Sequence, residues 1–517
     1  MSPSAVSSSP LPRRRPARLL GLLVAVVGLL YGGIAGFNIA YGAMNVDEGF
    51  YAVAARAVWQ GEVPYRDFGF TQTPLVSYAN GLAMGLTRFG LFEQRMVNGV
   101  WGLLALLLGA RLLWRREAPW RALLLVALFA VTPGWMYLIH LGKTYGFVSL
   151  VVMATVTVWL EARPGGWKTA ALSLLAVIGV GCRLPATPFF AVLWLAALRD
   201  DDGFNLRRVA VAVASLVGSA GALLLPFYLL APDQTRFWIF DFHLVSVAVR
   251  DWRVRWEEVL ALAPAFWVLL LYGLVAGVAD RRRWPWRESV VAAAALVALA
   301  ANLLPHGAYE EYGVPFLPAL AVAALLLLPP RVTEWRASLR WLAGFGLLVV
   351  PLLLIPVLCG PYRGRAKQSL PSIWLPLNTR PYNYELPRNL ALGRDLVVRN
   401  LPVGQPFHGP AVILAIEADR PIPRRLRMGA FTMTSDFPEA EADRLHLMTY
   451  GELTRLVAGP GVRVFGLHAQ PLLNYAWSVP SFRFQSDEER VKFGAIFDER
   501  FRPARQDADF TVLVSRF

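Results

Sequence analysis

Charge and cysteine are the two scarcities of this sequence. Only 17% of its 517 residues are Asp, Glu, Lys or Arg, against about 25% in a soluble globular chain. Beside 56% hydrophobic residues and a mean hydropathy of +0.44, so little charge excludes an ordinary cytosolic enzyme and a disordered chain alike. The two cysteines, Cys182 and Cys359, stand beside or within apolar runs. They form no disulfide framework and no metal-ligand spacing. Acidic residues are fewer than basic ones, 36 against 51, which leaves a net charge of +15. In a soluble protein that excess would point to nucleic acid. Here it collects in short loops between apolar runs, and no nucleic-acid partner is expected. No internal repeat is visible. Gly459-Pro460-Gly461 lacks the strand, glycine-rich loop and helix of a nucleotide site and reads as a turn. Aromatic side chains, by contrast, are plentiful at 18 Trp, 16 Tyr and 29 Phe, as expected where aromatic belts sit at membrane interfaces. This is the composition of a polytopic membrane protein.

Residues 1–18 form a polar tail ending in Arg13, Arg14, Arg15 and Arg18, followed by an apolar run over 19–40. A secretory signal has an apolar core of about 7–15 residues. This run is longer and reads as a retained first span with the N-terminus in the cytoplasm. Further runs lie at 97–114, 120–139, 144–162, 168–182, 184–198, 208–231, 258–279, 287–304, 313–329 and 339–359, for an expected 11 spans. The loops support that count. Alternate loops should be cytoplasmic and basic, and six short segments hold 19 arginines and lysines, Arg281, Arg282, Arg283 and Arg287 among them. The opposite loops around 140–143, 183 and 305–312 hold only Lys143 and Arg183. The bias requires 120–162 and 168–198 each to be a hairpin of two spans. An odd count leaves the C-terminus outside.

Two regions lie outside the spans. The tail over 360–517 is long enough for a domain of its own. Its runs AVILAIEA, VRVFGL and FTVLVSRF read as strands, and YGELTRLVA and DEERVKFGAIFDERF as helices. The expected fold is therefore an all-α membrane bundle over 19–359 with a C-terminal extracytoplasmic α/β domain. No catalytic motif is legible in that domain.

The other region is the loop over 41–96, too long to be a mere connector. In NVDEGFYAVAARAVWQG, Asn45 can cap a helix, with Glu48 completing a capping box and Gly61 as its stop. Phe50, Val53, Ala54, Ala57 and Val58 fall on one face, while Glu48, Arg56 and Trp59 lie off it, which suits a helix along the outer membrane surface. Asp47 and Glu48 then stand just past a span's outer end. Their spacing leaves two roles open: carboxylates serving the helix cap and dipole, or a general base held at the membrane boundary.

The ordered set D-E-x-x-Y-A-x-x-A-R over 47–56, G-x-x-P-Y over 61–65 and T-P-L-x-x-Y over 73–78 resembles the first outer loop of the GT-C superfamily of membrane glycosyltransferases. The protein O-mannosyltransferases and the aminoarabinose transferases of lipid A are the most similar in this respect. The resemblance covers residues from about 15 to 360. It implies a GT-C fold, a polyprenyl-phosphate-linked sugar as donor, and Asp47 as the catalytic base. It also implies that the loop's Glu48, Tyr51, Arg66, Asp67 and Gln72 line the substrate site. One departure matters. Aminoarabinose transferases carry a lysine before the Pro-Pro-Leu of this loop, where this chain reads FTQTPL. Gln72 and Thr73 supply no such charge, which speaks against a lipid A substrate.

Other outer residues admit a bland and a sharp reading. His140 and Lys143, in LIHLGKTY, are either a solvated histidine and a snorkelling lysine or contacts for an anionic leaving group. His306, Glu310, Glu311 and Tyr312, in LLPHGAYEEYGVPFLP, resemble a polar-aromatic segment that family members carry before a Pro-x-x-Pro span. Arg183 stands between two runs of about 15 residues, each roughly 22 Å long, too short to cross a hydrocarbon core of about 30 Å. Its turn, broken by Pro185, should stop short of the outer surface, where an arginine needs an anionic partner. That partner is Asp47, Glu48 or a carbonyl, or else the donor's phosphate, which a guanidinium can grip with two bonds.

The reading that follows is a transferase moving a sugar from a polyprenyl-phosphate donor to an acceptor hydroxyl, with inversion, on the outer face of a bacterial cytoplasmic membrane. Glu310, Glu311 and Tyr312 join the substrate site, and Arg183, Lys143, His140 and His306 the lipid-phosphate site. No metal ligands are assigned. Some GT-C enzymes use Mg or Mn and some do not, and two adjacent carboxylates leave that open. Acceptors could be glycan, lipid or protein. A transporter or lipid flippase is the alternative, but those place binding groups near the bilayer midplane, whereas the charges here gather at outer helix ends.

Overall fold

The computed structural model describes residues 14–116, 119–130, 132–199, 203–245, 267, 285–303, 310–327, 383–434, 437–468 and 486–517. The expected span at 339–359, nearly all of the one at 258–279, and His306 lie outside the described residues.

The described apolar runs become helices packed around one large core. α1 (Arg14–Tyr41), α2 (Asp47–Trp59), α3 (Leu75–Gly85) and α4 (Leu91–Arg115) come first. α5 (Pro119–Ala130) and α6 (Pro133–Leu138) replace the single expected run at 120–139. Pro133 begins the second piece, because proline cannot continue the i to i−4 ladder of the first. α7 (Tyr145–Glu161), α8 (Gly166–Cys182) and α9 (Thr187–Arg199) follow. Helices Leu206–Leu223, Trp286–Leu303 and Leu317–Leu327 complete the described bundle. Both segments that the charge bias required to be hairpins are split, at 139–144 and at 183–186.

Basic residues gather at one end of the bundle. There Arg111 and Arg115 pair with Glu161, Arg116 pairs with Glu288, and Trp159 donates to the Arg287 carbonyl at 2.8 Å. The C-terminal region sits on the opposite end. Asn383 N donates to the Tyr41 carbonyl at 2.7 Å, and Leu91 N to Glu417 Oε1 at 2.8 Å. α4 and α7 run so close that a Cβ on Gly146 would stand 2.4 Å from the Asn98 carbonyl oxygen.

α2 is a buried helix and not one with a water-facing side. Ten of its residues are buried, Glu48 among them. Its apolar stripe meets the bundle, and Ala52 and Val53 enter a second core made by the C-terminal region. A helix sandwiched between two bodies has both faces covered, so its exposed residues do not report a water-facing side. The capping box is half formed. Glu48 Oε2 accepts Asn45 N at 2.9 Å, but Asn45 Oδ1 accepts Asp47 N at 3.0 Å, one residue earlier than a box requires.

The C-terminal region is α/β. β3 (Val464–His468) and β4 (Phe501–Gln506) flank the central β5 (Phe510–Ser515) in an antiparallel sheet. Pro503 stands on the edge strand β4, beside a bulge between Pro503 and Arg505, where a missing N–H costs no inner ladder bond. The short strands β1 (Met433–Thr434) and β2 (Met448–Thr449) pair in parallel. Tyr450–Ala458 and Asp487–Arg500 are helices as expected. AVILAIEA is not a strand. Val412–Glu417 is a helix whose first five residues are buried against α2 and helix Leu386–Asn400. A short apolar run buried on all sides carries no period to separate helix from strand.

Candidate active site

Four segments converge where the bundle meets the C-terminal region: the start of α2, the turn at 139–144, the start of α9's turn at Arg183, and the 3₁₀ turn Glu310–Phe316. The Lys143 Nζ lies 2.9 Å from Asp47 Oδ2 and 3.0 Å from Glu311 Oε1. The Tyr145 hydroxyl donates to the same Glu311 oxygen at 2.7 Å. The Lys143 side chain is 4% exposed, Asp47 25% and Glu311 17%, so the carboxylates open outward and the ammonium lies behind them. Among the described residues no cluster of three or more His, Cys, Asp or Glu converges anywhere. A divalent cation at this point would have to displace the ammonium.

Arg183 is the other charge of the site. α8 ends at Cys182, and Arg183 takes an extended backbone conformation before the 3₁₀ turn Leu184–Ala186. Its guanidinium lies 4.5 Å from the Tyr312 ring centre and 5.1 Å from that of Tyr145. Nη1 donates to Thr144 Oγ1 at 3.1 Å, and Nε has no hydrogen-bond partner among the described residues. It pairs with neither Asp47 nor Glu48, and no carboxylate among the described residues reaches ion-pair distance. Two aromatic faces and one hydroxyl compensate a buried guanidinium poorly. Glu311 acts on it only through space, from beyond ion-pair distance.

Asp47 and Glu48 part company within one residue, because each helix step turns the side chain by about 100°. Glu48 points inward. Its carboxylate takes Arg95 Nε at 2.8 Å, Arg95 Nη2 at 2.7 Å and Gly142 N at 3.0 Å, besides Asn45 N. Arg95 also donates to the carbonyls of Ile39, Gly42 and Ala43, the last turn of α1 and its exit. The pair is fully buried and ties α1, α2, α4 and the Lys143 turn together.

The remaining candidates divide. Tyr51, one turn beyond Asp47, is buried within electrostatic reach of Arg183, Asp47, Lys143 and Glu311. Tyr312 joins them through Arg183. His140 is buried against Gly99, and its Nδ1 lies 2.6 Å from the Met136 carbonyl. Arg66 and Asp67 pair with each other at 2.7 Å near the surface, where Asp67 also accepts Val63 N at 2.8 Å. Gln72 offers its carbonyl to the Tyr65 hydroxyl. Arg66, Asp67 and Gln72 shape the loop, and with His140 they stay outside the charged cluster. The Glu310 side chain lies outside the described residues. Sequence reasoning missed Arg95, Thr144 and Tyr145. An arginine opening a span, in LFEQRMVNG, was the available signal for Arg95.

No protein-family profile and no curated protein matches this sequence. Solved structures do. The fold is shared with solved structures of the GT-C architecture. ArnT from Cupriavidus metallidurans, solved bound to undecaprenyl phosphate, superposes over 96% of this chain and 98% of its own, with a TM-score of 0.63 at 14% identity. The same protein in its apo state gives 0.63 at 15% identity with the same coverage. The Archaeoglobus fulgidus oligosaccharyltransferase gives 0.45 at 10% identity, over 91% of this chain and 72% of its own.

Proposed function

We propose that this protein is an integral-membrane glycosyltransferase that moves a sugar from a polyprenyl-phosphate donor to an acceptor hydroxyl, with inversion. The observation that carries the reading is an outward-opening carboxylate, Asp47, beside a buried guanidinium, Arg183, that no carboxylate among the described residues approaches to ion-pair distance. The solved neighbour's undecaprenyl phosphate is the kind of anion that would satisfy Arg183. In this reading Asp47, held through Oδ2, takes the proton of the acceptor hydroxyl. The hydroxyl oxygen attacks the anomeric carbon, the bond from that carbon to the phosphate oxygen breaks, and the charge left on phosphate falls to Arg183. Tyr51, Glu311 and Tyr312 wall the substrate, while Glu48 belongs to the scaffold. The basic end of the bundle faces the cytoplasm of a bacterial cell, and the C-terminal region lies on the outer face.

The test is Asp47→Asn, assayed with a polyprenyl-phosphate-linked sugar and followed by donor binding. Loss of a general base should lower turnover by roughly 10²–10⁴-fold while binding persists. Near-normal turnover in the variant would remove Asp47 from the chemistry. A chain that translocates such a lipid without transferring its sugar is a flippase instead.

A further inference from the structure

We infer that Lys143 supplies, as a fixed ammonium, the cation that two facing carboxylates would otherwise take from a bound divalent metal, so that this centre works without one. The inference deepens the transferase reading and rests on it. Asp47 and Glu311 come from segments far apart in sequence, yet their oxygens face a common point. Two carboxylates so placed repel each other unless a positive charge stands between them. That charge is already present: Nζ stands 2.9 Å from one and 3.0 Å from the other.

The ammonium is not free to swing aside. The Gly142 N–H is held by Glu48 Oε1 at 3.0 Å, the Gly142 carbonyl receives Gln94 Nε2 at 2.7 Å, and Lys143 N bonds the Leu141 carbonyl. Glu48 is itself saturated by Arg95. The turn that carries Lys143 is thus pinned from α2 and α4 together, and its lysine is almost wholly buried. A magnesium ion keeps several waters and still needs one or two carboxylates at about 2.0–2.1 Å, free of a competing cation. The described residues offer two carboxylates and the Tyr145 hydroxyl, which already serves Glu311. With Nζ standing between them, the carboxylates serve an ammonium with three N–H groups and leave a divalent ion no room beside it.

The experiment is a Mn²⁺ titration of the purified full-length chain in nanodiscs, without sugar donor, read by electron paramagnetic resonance. Wild type should leave the free-ion spectrum unchanged up to millimolar Mn²⁺. Lys143→Ser, which removes the ammonium and leaves both carboxylates, should bind one Mn²⁺ per chain, and the added change Asp47→Asn should abolish that site. One Mn²⁺ bound by wild type and lost in Asp47→Asn overturns the inference, as does a Lys143→Ser variant that binds no more than wild type. The wild-type arm does not depend on any variant folding. Because no substrate enters, a chain that excludes Mn²⁺ but transfers no sugar removes the transferase reading and leaves the metal result standing.

Discussion

Adjacent carboxylates on α2 show how much a single residue step decides. Asp47 meets one ammonium and solvent, while Glu48 is locked inside by a two-pronged arginine. Truncating either partner of such a buried pair strands a charge, at a cost of about 3–5 kcal/mol. Glu48→Gln is therefore expected to lower the melting temperature of the whole chain, whereas Asp47→Asn should leave it nearly unchanged. Differential scanning fluorimetry separates the two, and equal shifts would contradict the division of roles. For Arg183→Ala, loss of a charge-assisted bond worth about 1.5–3 kcal/mol predicts a donor affinity weaker by roughly 10–150-fold. Lysine should restore only part, since an ammonium can neither grip two oxygens nor stack between Tyr145 and Tyr312. Unchanged affinity in the alanine variant would make Arg183 a piece of scaffold. At this scale the sequence exposed Asp47, Lys143, Glu311 and Arg183, because charge is conspicuous in apolar surroundings. It hid Arg95 and Tyr145, whose roles exist only through partners distant in the chain.

Elements show where pattern reading stops. Apolar length located the helices well, and two prolines in the wrong place for a continuous helix, Pro133 and Pro226, mark the ends it blurred. Burial defeated it elsewhere. α2 was legible as a helix but not as a buried one, and Val412–Glu417 was not legible as a helix, because each is covered by a partner from the other end of the sequence. The pairing of α4 with α7 carries a sharper consequence. Gly146 abuts the Asn98 carbonyl, and backbone against backbone cannot yield as a side-chain tip can. Gly146→Ala should cost about 1–3 kcal/mol through overpacking. It should also weaken donor binding, since Tyr145 beside it braces both Glu311 and Arg183. A melt combined with a binding isotherm checks this, and loss of stability with binding intact would detach α7 from the site.

For the whole molecule, the C-terminal region is a structural half of the end that carries the site rather than an appendage. Arg56 donates to the Arg420 carbonyl at 2.9 Å, Arg427 pairs with Glu62, and Trp238 donates to the Leu445 carbonyl at 2.9 Å. Its own core carries an acid sensitivity. Burial lowers both His408 and His468 to a pKa of about 4 from an ordinary value of 6.5. Because the folded values lie below the unfolded one, their contribution is complete above about pH 6.5 and is lost as pH falls toward 4, by at most about 3 kcal/mol for each histidine. Melting temperature followed from pH 7 to pH 4 should fall through that window, less steeply in His468→Gln. A profile that is flat in both chains would refute the assignment. The grip of this region on α2 also has a history in time. Arg56 and Arg420 stand 364 residues apart, so at roughly 5–20 residues per second a ribosome needs about 20–70 s to deliver the second after the first. Throughout that interval Ala52, Val53 and Leu91 have no cover of their own. The charged cluster around Asp47 draws on residues up to Glu311 only, so it can close before the cover over α2 arrives.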